Sequence, residues 1–130
     1  MAKQTNDYKP TGFRNECVAF SNADGTTTKD IVVADADDSV IIQLSVASLA
    51  TSDATLRFYL HDGTTDFFLV DVVIPASSGV GAAAAVDVLA KPFIYNASLP
   101  LETGWKLRAA AVSAVSASGD VIVCAIVTDY

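Results

Sequence analysis

The chain has 130 residues, a net charge of −7 at pH 7 and 52% hydrophobic residues. This length fits one domain, and the apolar content excludes an intrinsically disordered chain. The acidic balance leaves no basic patch for nucleic acid, and no apolar run approaches the ~18 residues that could span a membrane. The polar N-terminus lacks the apolar stretch of a secretory signal, which predicts a protein made and kept in the cytoplasm.

The kinds of residue present favour strands over helices. Val and Thr are abundant, and their branched side chains suit a pleated sheet. Asp outnumbers Glu by 13 to 2, and Asp is a residue of turns whereas Glu covers the surfaces of helices. The composition therefore predicts an all-β protein.

Residues 1–14 are polar and lack periodicity, so we expect an arm that orders only against a neighbour. In residues 15–130, runs of strand length alternate with turn residues, which predicts one domain. The predicted strands are Asn15–Phe20, Asp30–Ala34, Val40–Ser48, Thr55–His61, Asp66–Ile74, Phe93–Tyr95, Trp105–Val115 and Val121–Val127.

The strongest local signal is a hairpin of Thr55–His61 and Asp66–Ile74, joined by a turn that contains Gly63. Its second strand is apolar on both faces, as is Val121–Val127, so we expect both faces to be covered. On one predicted face of the second strand lie Phe68, Val70, Val72 and Ile74; on the other lie Phe67, Leu69, Asp71 and Val73.

Two further segments complete the predicted fold. Val40–Ser48 alternates cleanly, with Val40, Ile42, Leu44 and Val46 on one face. Ala82–Ala90 has the composition of a helix of one or two turns and is ended by Pro92. About eight strands with at most one short helix near 82–90 predict a single-domain antiparallel β-sandwich, with a jelly roll as the leading topology.

Cys17 and Cys124 stand in the first and last predicted strands. A disulfide would form if those strands were neighbours. In a protein kept in the cytoplasm, however, two reduced and buried thiols are the expected state.

The sequence carries no pattern of an enzyme. His61 stands beside Asp62, but no Gly-x-Ser-x-Gly element accompanies it, and we interpret it as a residue at the edge of the hairpin. One histidine and two distant cysteines do not make a typical zinc site. We therefore predict no enzymatic activity and no cofactor.

Two clusters of charged residues are candidate ligand sites. Asp35, Asp37 and Asp38 offer oxygen ligands for Ca²⁺, but they lack the glycine and distal glutamate of the EF-hand loop. Asp is also an ordinary turn residue, so these three are weak metal candidates only. Lys106 and Arg108 could hold a phosphate or a sugar. Alternating Lys and Arg are, however, more typical of the solvated face of a strand or of an edge strand protected against aggregation.

When a strand is apolar on both faces, one small core can bury only one of them. The other face must then be buried against another subunit, which favours a subunit of an assembly. We expect a homo-oligomer, with a trimer as the leading expectation. The candidate interface residues are Phe67, Leu69, Val73, Trp105, Ile122 and Ile126.

The last third of the chain resembles the C-terminal region of small virion proteins of tailed bacteriophages. The residues that carry the resemblance are Leu99–Ala110, Val112–Val115, Val121–Val123 and the terminal Thr128-Asp129-Tyr130. The resemblance implies a jelly-roll subunit of the virion, assembled in the host cytoplasm. Within that class it implies a head decoration, or cement, protein that contacts the major capsid protein, with residues 1–14 gripping the capsid.

The alternative is a tail or fibre module that binds a host glycan or another tail protein. Trp105, Tyr59 and Tyr95 would then be stacking platforms. Trp105 at the start of a strand is more often a core residue than a platform.

Overall fold

The computed structural model describes residues 11–90 and 98–130, and in this part of the chain nearly all regular structure is β. Short 3₁₀ turns occur at Asn22–Asp24 and Val88–Ala90, and no helix in the described ranges has the length and apolarity to cross a membrane. The strands are β1 (Gly12–Phe20), β2 (Lys29–Val33), β3 (Ser39–Ser48), β4 (Ala54–His61), β5 (Asp66–Ile74), β6 (Val86–Asp87), β7 (Leu99–Leu101), β8 (Lys106–Ala111) and β9 (Val121–Asp129).

The strands form two antiparallel sheets. The first has the order β1-β9-β3-β6, with β7 also paired to β3, and the second has the order β2-β8-β4-β5. If the short β6 and β7 are taken together as one strand position, this is the arrangement of two interleaved Greek keys that defines a jelly roll. The predicted antiparallel sandwich is therefore confirmed.

The core lies between the sheets and is made of inward side chains from both. Its largest fully buried members include Phe20, Phe58, Leu44 and Leu107. Full burial of an apolar side chain of this size contributes roughly 1.5–3 kcal/mol to the free energy of unfolding.

The loops gather at two ends of the sandwich. At one end Thr51 and Asn22 donate hydrogen bonds to Ser118 and Val115, which joins three loops. At the other end the nitrogen of Gly104 donates to the carbonyl of Ala34. Both ends of the described chain lie here, because the nitrogen of Thr11 donates to the carbonyl of Asp129 over 2.7 Å.

A β-bulge in β3 corrects the predicted alternation of Val40–Ser48. The register against β9 shifts between Ile41 and Gln43. Ile41 and Leu44 therefore face the core, whereas Val40 and Ile42 face outward, and Ile42 is 45% exposed. The bulge adds one residue, and an added residue reverses every side chain beyond it.

A second bulge corrects the faces predicted for Asp66–Ile74. The β4–β5 register shifts so that Phe58 is opposite Val70 but Tyr59 is opposite Phe68. Phe68 consequently points outward and is 61% exposed, whereas Val70 still packs against the core. Strict alternation assumes an unbroken ladder, which this strand does not have.

Two segment boundaries also differ from the expectation. The end of the predicted arm belongs to β1, because Gly12 already pairs with Asp129. Ala82–Ala90 is not an α-helix: its alanines lie in exposed turns, and Val86–Asp87 pairs with β3. An exposed alanine run buries no face, so helix propensity alone does not decide its structure. The predicted segment Phe93–Tyr95 lies outside the described residues.

Candidate interaction surfaces

The outward side chains of β1, β9 and β3 form a broad surface without an ionisable side chain. We call it the uncharged face. Phe13 is 71% exposed at its margin, and Asp87 on the short β6 lies beyond the other margin. The thirteen side chains of the uncharged face, of which Thr128 is buried, are Phe13, Asn15, Cys17, Ala19, Val40, Ile42, Gln43, Ser45, Ala47, Ile122, Cys124, Ile126 and Thr128.

The two cysteines lie at the centre of this surface and are bonded to each other. Cys17 pairs directly with Cys124 across β1 and β9, and the sulfur atoms form a disulfide. The expectation of two reduced, buried thiols is wrong for this structure, because both side chains point away from the core. Cys17 is exposed and Cys124 is half-buried.

The outward face of the second sheet has the opposite character. Arg108 contacts Asp30 at 2.9 Å and Asp66 at 3.2 Å, and Lys106 also reaches Asp30, at 3.1 Å. Arg57 binds Asp71 through two hydrogen bonds of 2.7 and 2.9 Å. Lys106 and Arg108 thus belong to a solvated face of cross-strand ion pairs rather than to a phosphate site.

His61 contacts one of the carboxylates of this face. Its Nδ1 lies 2.8 Å from Asp66 Oδ1, and that carboxylate is shared with Arg108. The ring is therefore held at the end of the hairpin by a structural partner. Asp62, its neighbour in sequence, instead accepts hydrogen bonds from the backbone of Thr64 and Thr65 and shapes the turn. These bonds hold the pKa of Asp62 below its usual value.

The six interface candidates do not form one surface. Ile122 and Ile126 lie on the uncharged face. Val73 is 58% exposed on the outward side of β5, on the other sheet. Leu69 occupies the β5 bulge and packs against the core.

The remaining two candidates, Phe67 and Trp105, lie together at one end of the sandwich. Their rings stack with centroids 6.5 Å apart. Trp105 also packs against the core, as a residue at the start of a strand was expected to do. Phe67 is 48% exposed.

The proposed glycan platforms are not brought together. Tyr59 faces outward on β4 beside Arg108, whereas Trp105 packs against the core. Tyr95 lies outside the described residues. The described aromatic rings therefore do not line one saccharide groove.

The Asp-rich turn serves the fold. Asp38 Oδ1 accepts hydrogen bonds of 2.9 Å from both the nitrogen and the hydroxyl of Thr103. Asp35 and Asp37 are exposed. Within residues 11–90 and 98–130, no group of three His, Cys, Asp or Glu side chains is arranged to hold a metal ion.

Arg14 forms a clasp between the two sheets that sequence reasoning missed. Its guanidinium donates to Asp129 at 2.9 Å, to Glu16 at 2.9 Å and to the carbonyl of Val33, on the other sheet, at 2.8 Å. Burial raises the pKa of Asp129, but hydrogen bonds from Ser39 and Arg14 outweigh it, so the net shift is downward. The sequence signal for this role was a charged residue, Arg14, in a segment whose side chains alternate between the two faces of a strand.

Phe13 and Ile42 were also missed as surface residues. Phe13 fell in the predicted arm, and Ile42 was placed on the same face as Leu44 and Val46 because the bulge at Ile42 has no marker in the sequence. Both are large hydrophobic residues on the uncharged face.

Comparison with known proteins bears on the fold. No protein-family model matches the sequence, and a search of curated proteins finds no match. Among solved structures, the chain is similar to the Drosophila NLP core, which is described in terms of pentamer formation and histone binding. That structure has a TM-score of 0.52 and 10% identity over 92% of this chain and 98% of the other.

Two viral structures are also similar. One is a pentameric capsid protein from metagenomic phage sequences, with a TM-score of 0.40 and 21% identity over 88% of this chain and 60% of that one. The other is the virus-like particle of the extra small virus of the prawn Macrobrachium rosenbergii, with a TM-score of 0.38 and 15% identity over 98% and 85%. The likeness to the NLP core establishes a shared fold, and the chain is a single-domain β-sandwich.

Proposed function

We propose that this protein is a structural subunit of a virus particle and acts by burying apolar surface between copies, not by catalysis. The observation that carries the proposal is the uncharged face. A chain of net charge −7 repels its own copies, so association is favoured where neither copy brings a charge to the contact. Large apolar side chains exposed together, here Phe13 and Ile42, mark a candidate interaction site.

The finer proposal follows the resemblance of Leu99–Tyr130 to virion proteins of tailed phages. Under it the protein is a head decoration subunit that contacts the major capsid protein in the virion. The copies form a closed homo-oligomer, with a trimer as the leading state. A pentamer, the state named for the NLP core, is the alternative.

A pair of matched substitutions tests the role of the uncharged face. Ile42 on this face and Val112 in a loop at the far end are 45% and 46% exposed. A buried unpaired carboxylate strongly destabilises a contact, so Ile42→Asp should shift the oligomer to monomer whereas Val112→Asp should not. Sedimentation velocity on the full chain measures both. If both substitutions shift the oligomer to monomer equally, the uncharged face is not the contact surface between copies.

Placement in the particle needs a separate test. Gold-labelled antibody against the chain should decorate the heads of purified particles of the encoding phage in electron micrographs. Label on tails alone would favour the fibre module, and particles without label would exclude a virion role.

A further inference from the structure

The outward face of the second sheet carries a small open cavity above Ala110. Ala110 lies on β8 directly opposite Arg57 on β4, which in turn lies opposite Asp71 on β5. Its methyl group is the shortest side chain of this row, so the surface is lower there than on either side. The depression has a volume of about 230 Å³, and its lining includes Thr26, Thr28, Arg57, Tyr59, Ala110 and Val112. We call it the Ala110 cavity.

One wall of the Ala110 cavity is a guanidinium group that is held in place from its far side. Arg57 donates from Nε and Nη2 to the two carboxylate oxygens of Asp71, at 2.7 and 2.9 Å. The ring of Phe68 also lies against this group, with its centroid 5.4 Å from the guanidinium carbon. Both partners belong to β5, whereas the cavity lies toward β8. A donor that is already positioned loses little conformational entropy when a ligand binds.

Hydroxyl groups line much of the rest of the cavity. Thr26 and Thr28 belong to the segment that leads into β2, and Tyr59 belongs to β4, where it also interacts with Arg57. Within residues 11–90 and 98–130, no hydrogen bond engages the hydroxyl of either threonine. A hydroxyl group both donates and accepts hydrogen bonds. The lining therefore matches a ligand that is itself rich in hydroxyl groups.

Charge and shape narrow the class of ligand. The charge of Arg57 is already balanced by Asp71 in a chain of net charge −7, which disfavours an anion. The hydroxyl groups disfavour a purely apolar ligand, since a polar group that is buried without a partner costs free energy. The cavity lies over the inner strands β8 and β4, so it offers no free edge to an added β-strand. Its volume of about 230 Å³ is below the ~300–1,000 Å³ of sites for drug-sized molecules, which favours a ligand that inserts a single ring.

We infer that the Ala110 cavity binds one ring of a neutral saccharide. The sugar hydroxyls form hydrogen bonds with Arg57, Thr28 and Tyr59, and the C–H groups of the ring lie against Ala110 and Val112. This mode of binding relies on hydrogen bonds and does not require a stacking groove.

The inference goes beyond the proposed function, because it adds a binding activity to a structural subunit. The Ala110 cavity belongs to the second sheet and the uncharged face to the first. Contact between copies through the uncharged face therefore leaves the cavity open to solvent. An assembly of many copies would present many such sites, and this repetition raises the avidity for a repeating glycan.

A glycan array probed with the fluorescently labelled full-length protein tests the inference. The wild type should bind at least one neutral glycan. Thr28→Val keeps the shape of the side chain without its hydroxyl, so binding should weaken about threefold to tenfold, the effect of one lost hydrogen bond. Ala110→Leu fills the cavity and should abolish binding. Ala83→Leu is the matched control, because Ala83 is exposed in the connection between β5 and β6, and it should bind like the wild type.

Several results would overturn the inference. They are a wild type that binds no neutral glycan, binding to sulfated or sialylated glycans alone, undiminished binding by Ala110→Leu, and an equal loss in Ala83→Leu. Thermal unfolding verifies that each variant folds, and if Ala110→Leu unfolds, undiminished binding by Thr28→Val overturns the inference instead. Sedimentation velocity on the same samples separates this outcome from the proposed function, which fails only if the wild type is monomeric.

Discussion

Cys17 on β1 lies directly opposite Cys124 on β9, with their Cα atoms 4.1 Å apart and their sulfur atoms joined in a disulfide. The bond links the first strand to the last across 107 residues of sequence. It ties down β1, an edge strand whose inward side carries the charged Arg14 and Glu16 beside the apolar Val18 and Phe20. It also lies within the uncharged face, so one bond supports both the fold and the proposed interface.

Reduction of this disulfide should weaken the fold. In the chain-entropy model, a bond that closes a loop of about 100 residues stabilises by about 4–5 kcal/mol, and measured values are commonly about 2–4 kcal/mol. We expect dithiothreitol to lower the free energy of unfolding by about 2–4 kcal/mol in urea titrations. A Cys17→Ser, Cys124→Ser variant should match the reduced protein and ignore the reductant. An unchanged midpoint on reduction of the wild type would show that the bond adds nothing.

Replacement of Arg14 by alanine should lower the free energy of unfolding more than replacement of Arg57. Arg14 joins Asp129, Glu16 and the Val33 carbonyl across the two sheets, so Arg14→Ala leaves part-buried acceptors unpaired and should cost about 1–2 kcal/mol. Arg57 pairs with Asp71 on an exposed surface where water screens the charges, so Arg57→Ala should cost less. Chemical denaturation of both variants decides the order, and a larger loss for Arg57→Ala would refute it.

Gly119 should not tolerate a side chain. A Cβ at this position would lie 2.8 Å from the Ala50 nitrogen and closer still to the Leu49 carbonyl. Such overpacking against backbone typically costs about 1–3 kcal/mol, so Gly119→Ala should lower the melting temperature. Gly12→Ala is the matched control, because its Cβ would meet no atom within 4 Å. Equal melting temperatures for the two variants would contradict the close approach.

Acid should destabilise the protein below about pH 4. Hydrogen bonds from Lys29 and Ser21 lower the pKa of Asp24 to about 2, and Arg57 lowers the pKa of Asp71. A carboxylate with a lowered folded-state pKa stabilises the fold above its unfolded pKa of 3.8 and loses this effect as the pH falls through the folded value. Melting temperatures should therefore fall between pH 4 and pH 2, and less steeply in Asp24→Asn. A flat profile would argue against these contacts.

Much of the fold could be predicted because its signals are local. Alternation from Thr55 to His61, followed by a turn with Gly63, requires no knowledge of distant residues. The prediction lost accuracy at Ile42 and Leu69, where bulges shift the register. A bulge depends on how two strands fit across the sandwich, and neither residue marks it in sequence.

The interaction surface was only partly predictable. Ile122 and Ile126 were identified because their strand is apolar on both sides. Phe68 was placed on the same face as Val70, and Ile42 on the same face as Leu44, since an unrecognised bulge moves a residue to the opposite face. The disulfide also depends on the topology, because only the pairing of β1 with β9 brings Cys17 to Cys124.

The mass of the purified full-length chain in solution tests the central claim most directly. Light scattering at micromolar concentration and physiological salt should give an integer multiple of 13.5 kDa, with three copies as the leading expectation. A single species at 13.5 kDa across that concentration range would contradict a protein that acts by burying surface between its own copies.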